Sequence, residues 1–274
     1  HNDARRQRQM CIRDRELGKF MKLLIRLSLV LGVVASSWIG LSLKDMSALA
    51  LPEKEVLQKL TPVPVFTITD QNGSPLVASM KREGNEVNSS VAGVFISKSD
   101  ADAFVNKLRG ENPDLAATVK VVPVSLGEVY EKSQSVQPSG QKLEFAYVPI
   151  KRQVESAKAL LEQSGQDVNQ FSGVPLFMAK GGPDDGYLTI QRGEKQVIPM
   201  FFNKEDLQGM LDRAQTQQPD VFSSVKIEVV NLEGVINALK NDDDPFLEKI
   251  IFIPPRESLE FVQQLRESGN SSNQ

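Results

Sequence analysis

A repeated pattern constrains this chain more than any other feature. VPVFTITD, at Val63 to Asp70, returns as VPLFMAKG, at Val174 to Gly181. The first copy continues PLVASM, AGVFISKSDADAFVNKLRGENPD, ATVKVVPVSLGEVY and EFAYVPIKRQVESAKALLEQ. The second continues GYLTIQRG, VIPMFFNKEDLQGMLDRAQTQQPD, SSVKIEVVNLEGVIN and KIIFIPPRESLEFVQQLRE. Phe95 and Phe201, Val119 and Val225, and Val129 and Val235 are each 106 residues apart. Phe66 and Phe177 are 111 apart, so an insertion or deletion falls between the first and third strand signals. Five elements in one order at one spacing indicate an internal duplication.

Local chemistry names the elements. VFTIT, YLTI, VKVV, VKIEVV and IIFI are short, β-branched and aromatic, which suits strands. In VKIEVV the alternation places Val225, Ile227 and Val229 on one face. Ser97 and Asn203 are expected to cap the helices that follow, with Asp100 and Asp206 three residues on, near the positive end of the helix dipole. Ala103, Phe104 and Leu108, and Leu207, Met210 and Leu211, supply the expected apolar faces. Both helices should stop before Pro113 and Pro219, because proline disfavours helix in the residue preceding it. Closing helices are expected from about Arg152 to Glu162 and from Glu257 to Glu267, and a short opening helix over Glu53 to Leu60. The mixture lacks strict βαβ alternation, so the fold class is α+β. Two pseudo-symmetric halves are expected, residues 51–164 and 165–274, each with a small mixed or antiparallel sheet and flanking helices, and the second ending in a polar tail. The link GQDVNQFSG is short, which favours sheets paired in one body.

The front of the chain differs. Residues 1–20 are basic and irregular, and MCIRDR resembles read-through of a library adapter; they are read as an extension outside the protein proper. Residues 21–50 have the parts of a secretory signal: Lys22 and Arg26, an uncharged apolar run from Leu27 to Leu43, and Ala48-Leu49-Ala50 as a cleavage site before Leu51. An uncleaved anchor is the alternative, since the run approaches spanning length. Removal of this segment removes His1, Cys11 and Trp38, each the sole residue of its type. The remainder then has no disulfide and no thiolate or imidazole for metal binding or catalysis. It carries 23 Lys and Arg against 31 Asp and Glu, a net charge of −8. That balance argues against nucleic acid as a partner, because such binding needs a basic surface.

Candidate motifs for chemistry lack parts. GGPDDG (Gly181 to Gly186) has no Lys-Ser/Thr following and precedes a strand, so it reads as a hairpin turn, with QNGS (Gln71 to Ser74) as its counterpart. NDDDP (Asn241 to Pro245) does not space its acids as a calcium loop does. There is no nucleophile elbow and no histidine base. Catalytic residues, metal ligands and cofactors are therefore none. A carboxylate-based hydrolase or small-ligand binder in a cleft between the halves is the alternative. What remains is apolar surface, with Met178, Met200 and Met210 as candidates for a client-binding face, because methionine adapts its shape to varied partners.

The twin VP-Phe strands, the FISKSDADAFVNKL and FFNKEDLQGMLDRA helices, and the YVPIKRQVESAKALL and IFIPPRESLEFVQQL ends resemble the Tic twenty-two family, the soluble component of the chloroplast inner-envelope protein translocon and its cyanobacterial relatives. The resemblance covers about Leu51 to Arg266. It implies a non-enzymatic, two-halved body with apolar pockets on its flanks. It further implies chaperone-like handling of unfolded or precursor proteins, support of outer-membrane biogenesis through that machinery, and peripheral contact with envelope membranes. With an export signal at the front, the expected location is the periplasm or thylakoid lumen of a cyanobacterium.

Overall fold

A computed structural model describes residues 51–80, 89–135, 143–181, 186–217, 219–222 and 224–271. The upstream extension and the signal segment lie outside the described residues. The first copy runs α1 (Glu53–Leu60), β1 (Pro64–Asp70), β2 (Val77–Met80), β3 (Ser89–Phe95), α2 (Lys98–Glu111), α3 (Pro113–Thr118), β4 (Val119–Ser125), α4 (Leu126–Gln134), β5 (Leu143–Val148) and α5 (Lys151–Gln163). The second runs β6 (Pro175–Gly181), β7 (Gly186–Tyr187), β8 (Ile190–Arg192), β9 (Lys195–Phe201), α6 (Lys204–Gln217), α7 (Pro219–Phe222), β10 (Lys226–Asn231), α8 (Leu232–Asn241), α9 (Phe246–Lys249), β11 (Ile250–Ile253) and α10 (Arg256–Ser271).

The duplication holds at the level of strand pairing. In the first sheet β1 pairs antiparallel with β3 and β4, and β5 pairs parallel with β3. In the second, β6 pairs antiparallel with β9 and β10, and β11 pairs parallel with β9. Phe66 stands opposite Phe95, and Phe177 opposite Phe201. The path between these partners is five residues longer in the first copy, which locates the shift in spacing. Each parallel strand is pinned at its end by one more bond: Ile96 N–H donates to Val148 O at 3.2 Å, and Phe202 N–H to Ile253 O at 3.2 Å. The class is α+β with mixed sheets.

Helix starts follow from side-chain chemistry. Ser97 accepts a hydrogen bond from Ser99 N–H and caps α2. Ser125 and Glu128 form a capping box on α4. Asn231 accepts from Gly234 N–H at the start of α8. The expected stops at the two prolines hold, and each proline then opens a further short helix, α3 or α7, which the sequence reading missed. Pro113 sits in the first turn of α3, where its missing N–H costs nothing, and Asn112 caps it. The expected face of α2 is corrected. Ala101 and Val105 are its buried residues, while Phe104 is 44% exposed.

Side chains alternate between two sets of surroundings. Val65, Val94, Leu176, Met178, Ile198 and Met200 face one shared cluster, joined by Leu60 of α1, Leu126 and Val129 of α4, and Val235 and Leu239 of α8. The halves thus meet through packed apolar side chains from both copies. Where the alternative reading placed a cleft with carboxylates, the side chains of this shared cluster are apolar. Lys59 adds a polar tie across it, donating to Glu248 O at 2.7 Å and Ile250 O at 3.0 Å. Burial pushes this amine below its ordinary value.

The opposite faces of the sheets are covered by exchanged helices. Phe66, Ile68 and Phe95 of the first sheet pack with Ala101 and Val105 of α2 and with Phe261 of α10, which belongs to the second copy. The Phe66 and Phe261 rings lie 5.9 Å apart. Phe177, Ala179 and Phe201 of the second sheet pack with Leu207 and Leu211 of α6 and with Ala157 of α5, from the first copy. Each copy's closing helix therefore completes the other copy's outer layer.

Phe66 and Phe177 are both fully buried at equivalent places. Phe66→Ala and Phe177→Ala should each cost about 3–5 kcal/mol, the range for a core phenylalanine. Urea unfolding of the two variants checks this, and both should melt the whole molecule cooperatively because either change loosens a layer shared by the two copies. Tyr147 of β5 supplies a second test. Burial first, then the charge of Glu233 and the neighbouring Tyr130, push its hydroxyl up to about 12. Between its ordinary value of 10.0 and about 12 the unfolded chain has lost this proton and the folded protein has kept it. Rising pH therefore favours unfolding there, and the contribution is intact below pH 10 and gone above 12. Stability measured across that window should fall less steeply in Tyr147→Phe than in the parent.

Candidate functional site

The helix exchange places each closing helix beside the first helix of the other copy. Over the second sheet, α5 and α6 border an open groove of about 540 Å³. Its floor is Leu160, Leu211, Phe222, Val225 and Ile227. Gln163, Ser164, Gln208 and Gln215 form an amide and hydroxyl rim, and Lys204 and Lys226 are the charged groups on it. Over the first sheet, α2 and α10 meet in the same relation. There Phe104, Leu259 and Leu265 stay 43–45% exposed, and Phe104 stacks on Phe95 at 5.6 Å.

Polar groups fix the two helix junctions differently. At the α5–α6 junction Gln153 is 1% exposed. Its Oε1 accepts from Lys204 N–H at 3.0 Å, and its Nε2 donates to Glu205 Oε2 at 2.7 Å. The α6 start is thus satisfied by a residue of the other copy. The expected cap at Asn203 is corrected: its buried Oδ1 has no hydrogen-bond partner among the described residues. Arg152 lies 3.7 Å from Glu205. Burial raises the Glu205 carboxyl, but the Gln153 and backbone hydrogen bonds, with Arg152 and Lys204, outweigh that and hold it below its ordinary value. The equivalent junction of α10 with α2 rests on Ser258, whose Oγ donates to Ile96 O at 3.4 Å. Lys98 Nζ sits 5.0 Å from the Phe261 ring. Burial and then Glu257 push the Asp100 carboxyl up.

The methionine candidates fare unequally. Met178 and Met200 are each 4% exposed and lie in the cluster shared by the two sheets. They fill core, because strand alternation turns them away from the outer faces. Met210 is half-buried on α6 beside the outer cluster. The expected face of three methionines is therefore not one surface. The groove residues Leu160, Phe222 and Gln208 were not singled out from the sequence. The one signal for Leu160 was the apolar stripe of the closing helix, and nothing in it showed which copy that stripe would cover.

The other sequence candidates are structural. Gly181 pairs with Gly186 across the hairpin of β6 and β7. Asp70 Oδ1 accepts from Asn72 and Ser74 N–H, holding the QNGS turn. Asp244 Oδ1 accepts from Phe246 N–H at the start of α9. Among the described residues no group of three or more His, Cys, Asp or Glu could hold a metal ion, and no helix is long and apolar enough to cross a membrane.

A duplicated α+β body with exchanged closing helices and an apolar-floored groove over its second sheet defines the class of fold. The chain belongs to the Tic22-like family, which it matches over residues 17–267. It is 27% identical over 216 residues to the Arabidopsis thaliana "Protein TIC 22-like, chloroplastic", covering 77% of this chain and 62% of that protein. It is 26% identical over 213 residues to the Pisum sativum "Protein TIC 22, chloroplastic", covering 77% of each. Among solved structures it is similar to Anabaena Tic22, described as protein transport, at a TM-score of 0.69 and 32% identity over 78% of this chain and 97% of that one. Tic22 from Plasmodium falciparum shares the fold at a TM-score of 0.62 and 23% identity, over 78% of this chain and 98% of that one.

Gln153→Ala removes the partner of both Lys204 N–H and the Glu205 carboxylate. A loss of about 1–3 kcal/mol is expected, the cost of leaving such groups unpaired. Denaturant unfolding measures it. Because the Glu205 carboxyl is held down in the folded protein, its contribution is present above the ordinary value of 4.5 and is lost as pH falls below it. Gln153→Ala should therefore show a smaller stability loss than the parent when the pH is lowered through that range.

Proposed function

We propose that this protein is a non-enzymatic factor in protein translocation that binds unfolded or precursor polypeptides reversibly in its flank grooves. In this reading segment 21–50 exports it, the body works in the periplasm, and its clients include precursors bound for the outer membrane. The groove between α5 and α6 carries the reading, because it combines an apolar floor with an amide rim suited to a peptide. Family membership and the protein-transport description of the Anabaena relative support it.

Magnitudes fit a carrier. Burying one Leu or Phe side chain yields about 1.5–3 kcal/mol, while association costs an estimated 4–15 kcal/mol or more, about. A groove with a handful of such contacts binds weakly and releases its client. Phe222 and Leu160 are half-buried, so their apolar surface is available to a bound chain.

The test is aggregation of a β-barrel membrane protein diluted from urea. The purified protein in modest molar excess should lengthen the aggregation half-time several-fold, and Phe222→Ser should remove most of that protection while keeping a cooperative melt. An unchanged half-time with the parent protein would overturn the proposal.

A further inference from the structure

The two copies treat the outer edge of their sheets differently. β4 and β10 are equivalent, each pairing along one side only, with β1 and β6. Leu126 N–H donates to Val63 O, and Leu232 N–H to Val174 O, both at 2.8 Å. These bonds fix the phase of each antiparallel ladder, in which residues alternate between facing the partner strand and facing away. On β4 the backbone groups of Val121, Pro123 and Ser125 therefore point outward. On β10 those of Ile227, Val229 and Asn231 do.

The first edge is closed. Pro123 has no N–H to offer. Ser125 N–H is taken by Glu128 Oε2 at 3.0 Å. The second edge has Val229 where the first has Pro123, and Gly234 where the first has Glu128. Among the described residues, no strand other than β6 pairs with β10. At the opposite edge of the same sheet, Lys59 Nζ donates to Ile250 O of β11 at 3.0 Å. Proteins commonly blunt edge strands with proline, charge or cover, because an open row of N–H and C=O groups templates another strand. Here the first copy carries the proline and the capping glutamate, and the second has neither at the matching places, with Lys226 and Glu228 as the charged residues of its edge strand.

The open edge adjoins the candidate groove. Ile227 of β10, and Val225 just ahead of that strand, form part of the groove floor. A strand added to β10 would place alternate side chains on that outer face, beside Leu160 and Phe222. Strand addition of this kind draws affinity from main-chain bonds and selectivity from pockets for alternate residues.

We infer that β10 takes up an extended segment of another polypeptide as an additional strand, with every second residue apolar and seated over the α5–α6 groove. This rests on the client-binding reading and specifies how that site holds a client. Main-chain recognition tolerates many sequences, which a carrier of varied clients requires. The continuity of edge and groove favours an unfolded segment, whose apolar side chains are free to enter the groove, and the net charge of −8 on residues 51–274 disfavours a second copy of this chain.

The test uses a fluorescent peptide of about seven residues alternating Val and Thr, the length of an ordinary strand, and the same peptide N-methylated on alternate amides. The parent protein should bind the first, and the second about ten-fold or more weakly, the loss expected for a net backbone hydrogen bond or more. Hydrogen exchange at Ile227 and Val229 should slow when the first peptide is bound. Val229→Pro, which copies Pro123, should bind both peptides equally weakly and keep its melting transition. Equal affinity of the parent for both peptides, with aggregation still suppressed, would overturn strand addition and leave the groove reading standing. Unaltered exchange at Ile227 and Val229 would overturn it too, as would dimerisation of the free protein that Val229→Pro abolishes, since the edge would then serve a second copy.

Discussion

The packing of each closing helix on the other copy's sheet is the constraint on which this architecture depends. The central strands β1, β6 and β9 are buried on both faces. The inner faces find each other, and the outer faces need a cover. α2 and α6 cover only part of each. Phe261 on Phe66, and Ala157 beside Phe177 and Phe201, complete it. Neither copy can bury its own outer layer alone, so the two are bound into one cooperative unit by the hydrophobic effect.

This exchange also creates the groove. A helix from the same copy would be fixed against its sheet by a short connection. A helix arriving from the other copy meets the resident helix side by side, and the seam between them becomes the groove. The polar fastening differs at the two seams. Gln153 bridges the α6 start with two hydrogen bonds, whereas Ser258 supplies one longer contact near the α2 start. Duplication has thus preserved the backbone plan while the side chains at equivalent places diverged. Gly173 shows the same divergence in packing. It holds a positive φ of 90°, and the Glu233 carboxylate occupies the space a Cβ would need. In the first copy Pro62 stands in the place of Gly173, and Gly127, in the place of Glu233, has Thr61 against it.

Divergence between copies is where function is read. The proline at position 123 and the capping glutamate at 128 are ordinary structural residues when viewed singly. Compared with Val229 and Gly234 at the matching places, they mark one sheet edge as closed and the other as open. Weak apolar contact and main-chain pairing are complementary for a carrier: the first gives little specificity, and the second is indifferent to side-chain identity. Together they suit clients related by extended conformation rather than by sequence.

The sequence alone determined the principal elements, their order and the duplication, though not the short helices α3 and α7, because β-branching, helix periodicity and proline act over a few residues. The equivalence of Phe66 with Phe177 and of Phe95 with Phe201 follows from the repeat, and the common face of Val225, Ile227 and Val229 from alternation along the strand. Tertiary structure decided which copy each closing helix serves, which side of a strand becomes core, and where α6 finds its cap. Met178 and Met200 illustrate the division. Their alternation with Phe177 and Phe201 was legible, but both faces of these strands are apolar, so local pattern could not tell inner core from outer groove. That choice belongs to contacts between residues far apart in the chain, such as Gln153 with Glu205 and Phe66 with Phe261, which no local preference encodes.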